Sequence, residues 1–78
     1  MRRPSKKILG NLARNVKEIR LTHGISQEQL AEKCGFHRTY IGSIERGERN
    51  TTLSTLEALS ESLDVSISRL LDDEELIK

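Results

Sequence analysis

The chain has 78 residues, 32% of them charged, with one Phe, one Tyr and no Trp, so it holds at most one small domain with a core of Leu, Ile, Val and Ala. A single cysteine, Cys34, beside only two histidines excludes an internal disulfide and any recognisable zinc spacing, and no apolar run approaches the roughly 18 to 20 residues that span a bilayer. The net charge of +1 hides an asymmetry: residues 1–50 carry 11 Lys/Arg against 5 Glu (+6) and residues 51–78 carry 2 against 7 Asp/Glu (−5), which suits a basic face for a polyanion and an acidic rear kept off it.

Residues 1–7 read as a basic N-terminal arm, with Arg2, Arg3, Lys6 and Lys7. From Lys6 to Thr22, Leu9, Leu12, Val16 and Ile19 recur at spacings of three and four, the mark of an amphipathic helix. It ends at Gly24, with His23 in its last turn. Ser26 followed by Gln29 forms a capping box that opens a second helix, with Leu30 and Ala31 inward and Gly35 as its stop after Cys34. In the run His37 to Arg46, Ile41 and Ile44 mark the inner face of a third helix, while Arg38, Thr39, Gly42, Ser43 and Arg46 lie on others.

Gly47 ends that helix, and Glu48 to Thr51 makes a charged loop. Thr52 then caps a fourth helix with the stripe Leu53, Leu56, Leu59 and Leu63. Asp64-Val65 turns the chain, and Ser66 caps a short fifth helix with Ile67, Leu70 and Leu71. Residues 8–71 thus form one all-α, five-helix domain. Residues 72–78 follow as an acidic tail, whose consecutive carboxylates lack the spacing of a metal site.

Two short helices joined through a glycine turn can lay the second helix in a DNA major groove about 12 Å wide. That geometry needs an apolar inner face, here Leu30, Ala31, Ile41 and Ile44, and hydrogen-bonding side chains outside. Arg38, Thr39 and Ser43 are the candidates for base readout. Arg38 can grip guanine O6 and N7 with its guanidinium, although a phosphate contact is the alternative; Thr39 and Ser43 offer a hydroxyl, and Thr39 also a methyl for thymine. His37 is either a cap or a neighbour of phosphate. Gly42 is costly inside a helix, by about 0.8 to 1 kcal/mol relative to Ala, and either close approach to DNA or simple tolerance accounts for it.

The segment Ser26-Gln27-Glu28-Gln29-Leu30-Ala31 through Gly35 to Tyr40-Ile41, then Ile44-Glu45-Arg46-Gly47, resembles the Cro/C1-type (XRE) helix-turn-helix regulators over roughly residues 12 to 70. Within that family, His37 to Ile41 with Glu45 to Asn50 is similar to the controller proteins of restriction-modification systems. The resemblance implies a lambda-repressor-like fold of five helices in which the second and third read DNA. It implies that Gln27 touches phosphate and braces the recognition helix, and that Arg46, Arg49 and Asn50 lie along the DNA backbone. Tyr40 gives its hydroxyl to a phosphate or else packs beside the turn. Arg20 and Glu45 match positions that form a salt bridge between the first and third helices.

One recognition helix reads too few base pairs to single out a genomic site, so a homodimer on a near-palindromic operator is expected. Leu63, Ile67, Leu70 and Leu71, with Leu76 and Ile77 of the tail, are the candidate apolar interface. RNA polymerase is a candidate further partner, and no cofactor, metal or small-molecule ligand is expected. The rival readings are an antitoxin-type interaction module that also binds its own promoter, and a phage-type repressor. An enzyme is disfavoured, since no nucleophile with its base and no metal set is evident. Cytoplasmic location is the expectation.

Overall fold

The computed structural model describes residues 2–73, and there the chain forms five α-helices and no strand. They are α1 (Lys6–Thr22), α2 (Gln27–Cys34), α3 (Arg38–Glu45), α4 (Leu53–Leu63) and α5 (Ile67–Leu71). Most boundaries are set by local hydrogen bonds that the sequence encodes. Ser26 Oγ accepts from Gln29 N at 3.0 Å while Ser26 N donates to Gln29 Oε1 at 2.7 Å, closing the capping box that starts α2. Thr52 Oγ1 and Ser66 Oγ accept from Thr55 N and Arg69 N in the same way. Ser5 caps α1 by accepting from Ile8 N at 3.2 Å. Gly35 ends α2 at φ +78°, where a side chain would be strained, and its left-handed turn returns Phe36 N to Ala31 O at 2.8 Å.

The inner faces meet in one core of Leu12, Val16, Ile19, Leu30, Ala31, Ile41, Ile44, Leu56, Leu59, Leu63 and Leu70. Leu53 departs from the expected stripe and is 78% exposed. At 100° per residue it lies about 90° around α4 from the centre defined by Leu56, Leu59 and Leu63. Its place as the first residue of the helix leaves that side uncovered.

The short α5 depends on α1 for its C-terminal end. Asn15, completely buried, donates Nδ2 to Leu70 O at 2.9 Å and Asp72 O at 2.8 Å; Asn11 reaches Leu71 O and Arg14 reaches Asp72 O. These side chains satisfy carbonyls that a five-residue helix cannot satisfy itself. The docking places Leu63 and Leu70 at 0% exposure. Both therefore belong to the protomer's own core and have no area left to bury in a dimer, a correction to their expected role. Ile67 and Leu71 remain only half-buried, and Leu76 and Ile77 lie outside the described residues.

Candidate nucleic-acid interface

α2 and α3 pack on each other through Leu30, Ala31, Ile41 and Ile44, all at most 2% exposed. A buried ion pair fixes α3 against α1. Arg20 Nε donates to Glu45 Oε2 at 2.7 Å and Arg20 Nη2 to Glu45 Oε1 at 3.0 Å, with the two side chains 9% and 4% exposed. Arg20 Nη1 also donates to Ile25 O at 2.9 Å, tying in the turn before α2. The hydrogen bond from Arg20 to Glu45, reinforced by the carboxylate charge, holds the guanidinium pKa above its ordinary value despite burial. Gln27 Nε2 donates to Glu45 Oε1 at 3.1 Å. Glu45 thus gathers α1, α2 and α3 at one carboxylate.

On the solvent side of that carboxylate, Gln27, Arg38, Thr39, Gly42 and Arg46 line a polar slot of about 120 Å³. Arg38 and Thr39 are exposed, and among the described residues Arg38 has no hydrogen-bond or ion-pair partner. Arg46 donates Nε to Glu48 Oε2 at 3.1 Å in an exposed pair, which leaves its Nη atoms for another acceptor. With two guanidiniums, an amide and a hydroxyl, the slot can take an anion or polar base edges.

The other expected residues are placed differently. Ser43 is 7% exposed; its hydroxyl donates to Tyr40 O at 2.7 Å and accepts from Arg49 Nε at 3.1 Å. Both of these hydrogen bonds are made within the chain. The Tyr40 hydroxyl shares a 3.2 Å hydrogen bond with Thr55 Oγ1, Phe36 meets its ring edge-on at 5.1 Å, and the Arg49 guanidinium lies 5.2 Å from its centroid. Tyr40, Ser43 and Arg49 therefore form a second cluster that fastens the loop after α3 to the helix.

His37 occupies the N-cap of α3 without a side-chain cap bond, in a hollow shared with Glu28, Glu32 and Arg38. Those carboxylates repel phosphate, so within the expected backbone set His37 is the least favourably placed. Asn50 stands apart from the slot, exposed beside Thr51 at an apolar hollow lined by Pro4, Ile8, Leu9, Leu12, Leu56 and Leu71. Thr55 was not foreseen in the sequence as the partner of Tyr40, and its only signal was a polar residue on the inner side of the α4 pattern.

A two-helix unit with a solvent-facing polar end on the second helix, buttressed from behind by an ion pair to a third, defines a helix-turn-helix protein. The chain belongs to the helix-turn-helix family HTH_3, which matches it over residues 16–70. It is 58% identical over 60 residues to control protein C.SmaI of Serratia marcescens, covering 77% of this chain and 71% of that one. It is 50% identical over 58 residues to control protein C.BamHI of Bacillus amyloliquefaciens, covering 73% and 72%. Among solved structures, the restriction-modification controller protein C.AhdI from Aeromonas hydrophila superposes with a TM-score of 0.76 at 37% identity, covering 80% of this chain and 94% of that one.

Proposed function

We propose that this protein is a sequence-specific, DNA-binding transcriptional regulator of the restriction-modification controller type, acting in the cytoplasm as a homodimer on a near-palindromic operator. The observation that carries the reading is the outer face of α3. Arg38 and Thr39 project from its first turn beside the slot completed by Gln27 and Arg46, and the buried Arg20–Glu45 pair holds that surface rigid. In this reading Arg38 and Thr39 read bases. Gln27, Arg46 and, more weakly, His37 hold the DNA backbone, with Arg49 and Asn50 on the rim, while Tyr40 and Ser43 set the height of that rim from inside.

Dimerisation rests on Ile67 and Leu71, the members of the apolar set with surface to spare among the described residues. A regulator of this size acts at a promoter either by covering it or by holding RNA polymerase, and transcription in vitro from a bound operator separates the two.

Selection of bound duplexes from a random pool, repeated with Arg38→Ala, tests the readout. The wild type should enrich a two-fold-related motif and the variant should lose preference at one position in each half-site, a discrimination of about 1 to 3 kcal/mol. An identical motif from both proteins removes Arg38 from base reading. Sedimentation of the wild type and Ile67→Glu tests the dimer, the variant being expected to remain a folded monomer.

A further inference from the structure

We infer that Gly42 is a positioning residue for anion capture, because its bare Cα lets the Arg46 guanidinium lie down on α3 beside the Gln27 carboxamide. The inference deepens the DNA-binding reading and rests on it. At 100° per residue, Arg38, Gly42 and Arg46 follow one another at steps of about 40° on one flank of α3, with Thr39 close by. Gly42 lies about 130° from the centre of the inner face marked by Ile41 and Ile44, on the solvent side of the helix, and yet it is buried. What covers it are two polar side chains. A Cβ at Gly42 would stand 3.2 Å from Arg46 Nη1, 3.7 Å from Gln27 Oε1 and 4.0 Å from Gln27 Nε2.

The two neighbours differ in how they can respond. Gln27 is held by the buried Glu45 carboxylate and is in only ordinary contact with the added carbon. Arg46 is exposed, and its Nη1 is the end of a long side chain, so it is the group that yields. Substitution by alanine therefore leaves the helix intact and lifts the guanidinium away from Gln27, opening the cluster of donors that would close on one phosphodiester oxygen. Gly10 is the natural control, since it also lies inside a helix but a Cβ there meets nothing within 4 Å.

The test compares Gly42→Ala, Arg46→Ala, the double variant and Gly10→Ala for binding to a duplex recovered from a random pool, across about 50 to 200 mM salt. Gly42→Ala should melt no lower than the wild type and bind every sequence more weakly, with its slope of log affinity against log salt shallower by about 0.9, the value of one phosphate contact. Over that salt range its affinity then falls about threefold less than that of the wild type. The double variant should bind like Arg46→Ala alone, and Gly10→Ala like the wild type. Wild-type binding by Gly42→Ala with an unchanged slope overturns the inference, as does a double variant whose losses add, or a Gly42→Ala protein that melts lower. If the unsubstituted protein retains no duplex, the DNA-binding reading falls and takes this inference with it, an outcome distinct from a normal wild type with a silent Gly42→Ala.

Discussion

Glu45→Gln is the most informative single perturbation of the domain. Three donors converge on the carboxylate: Arg20 Nε at 2.7 Å, Arg20 Nη2 at 3.0 Å and Gln27 Nε2 at 3.1 Å. Glutamine fits the same space but offers one oxygen and turns an NH2 toward at least one of those donors. It also leaves a guanidinium, in a residue only 7% exposed, without a counter-charge. Removing one partner of a buried pair costs about 3 to 5 kcal/mol, against a total stability of about 4 to 12 kcal/mol for a chain this long.

Urea unfolding followed by circular dichroism measures the loss, which should appear as a lower midpoint with an unchanged slope. The double variant Arg20→Met with Glu45→Leu removes the charge together with its partner and should recover to within about 1 kcal/mol of the wild type. It should still bind DNA poorly, because Gln27 has lost the acceptor that orients it. A Glu45→Gln loss below about 1 kcal/mol, or a double variant no more stable than the single one, would refute the reasoning.

Gly10→Ala should raise stability by about 0.5 to 1 kcal/mol in the same urea assay, since it improves helix propensity where a Cβ meets nothing within 4 Å. Leu59→Ala should cost about 2 to 5 kcal/mol by opening a cavity at a fully buried position. Leu53→Ser, at a residue 78% exposed, should stay within about 0.5 kcal/mol of the wild type. Burial pushes the Cys34 thiol pKa up, against the lowering effect of its 3.3 Å hydrogen bond to Ser62 Oγ. With the folded value above the unfolded one, the thiol's contribution is intact below the unfolded pKa of about 8.5 and is lost as pH rises through the folded value. The urea midpoint should therefore decline on the alkaline side more steeply in the wild type than in Cys34→Ala.

The helices were legible because their ends are written in single residues. Ser26, Thr52 and Ser66 carry the caps, and Gly24 and Gly35 the stops. Their inner faces followed from spacings of three and four. Periodicity says that a face is apolar but not what covers it, so Leu63 and Leu70 gave the same signal for a dimer interface as for the core. The covering element is α1, through Asn11, Arg14 and Asn15 reaching the carbonyls at the end of α5, over 54 or more positions of sequence separation.

Ser43 and Gly42 show why the site was harder to read than the fold. On the α3 wheel Ser43 lies about 130° from the midpoint of Ile41 and Ile44 and about 100° from Ile44, a flank that either solvent or chain can claim. The claim is settled by residues beyond the helix, where Arg49 returns over Tyr40 and takes the Ser43 hydroxyl. Gly42 lies at the same angle from that midpoint on the opposite flank and is covered by side chains from α2 and from the end of α3 itself. A helix wheel assigns each residue an angle, whereas a recognition surface also depends on which side chains lie down across that angle. Arg38 and Thr39 escape the ambiguity because they stand in the first turn, ahead of any returning loop. On α3, readout should therefore be concentrated in the first turn, with the later turns devoted to holding the backbone at a fixed height.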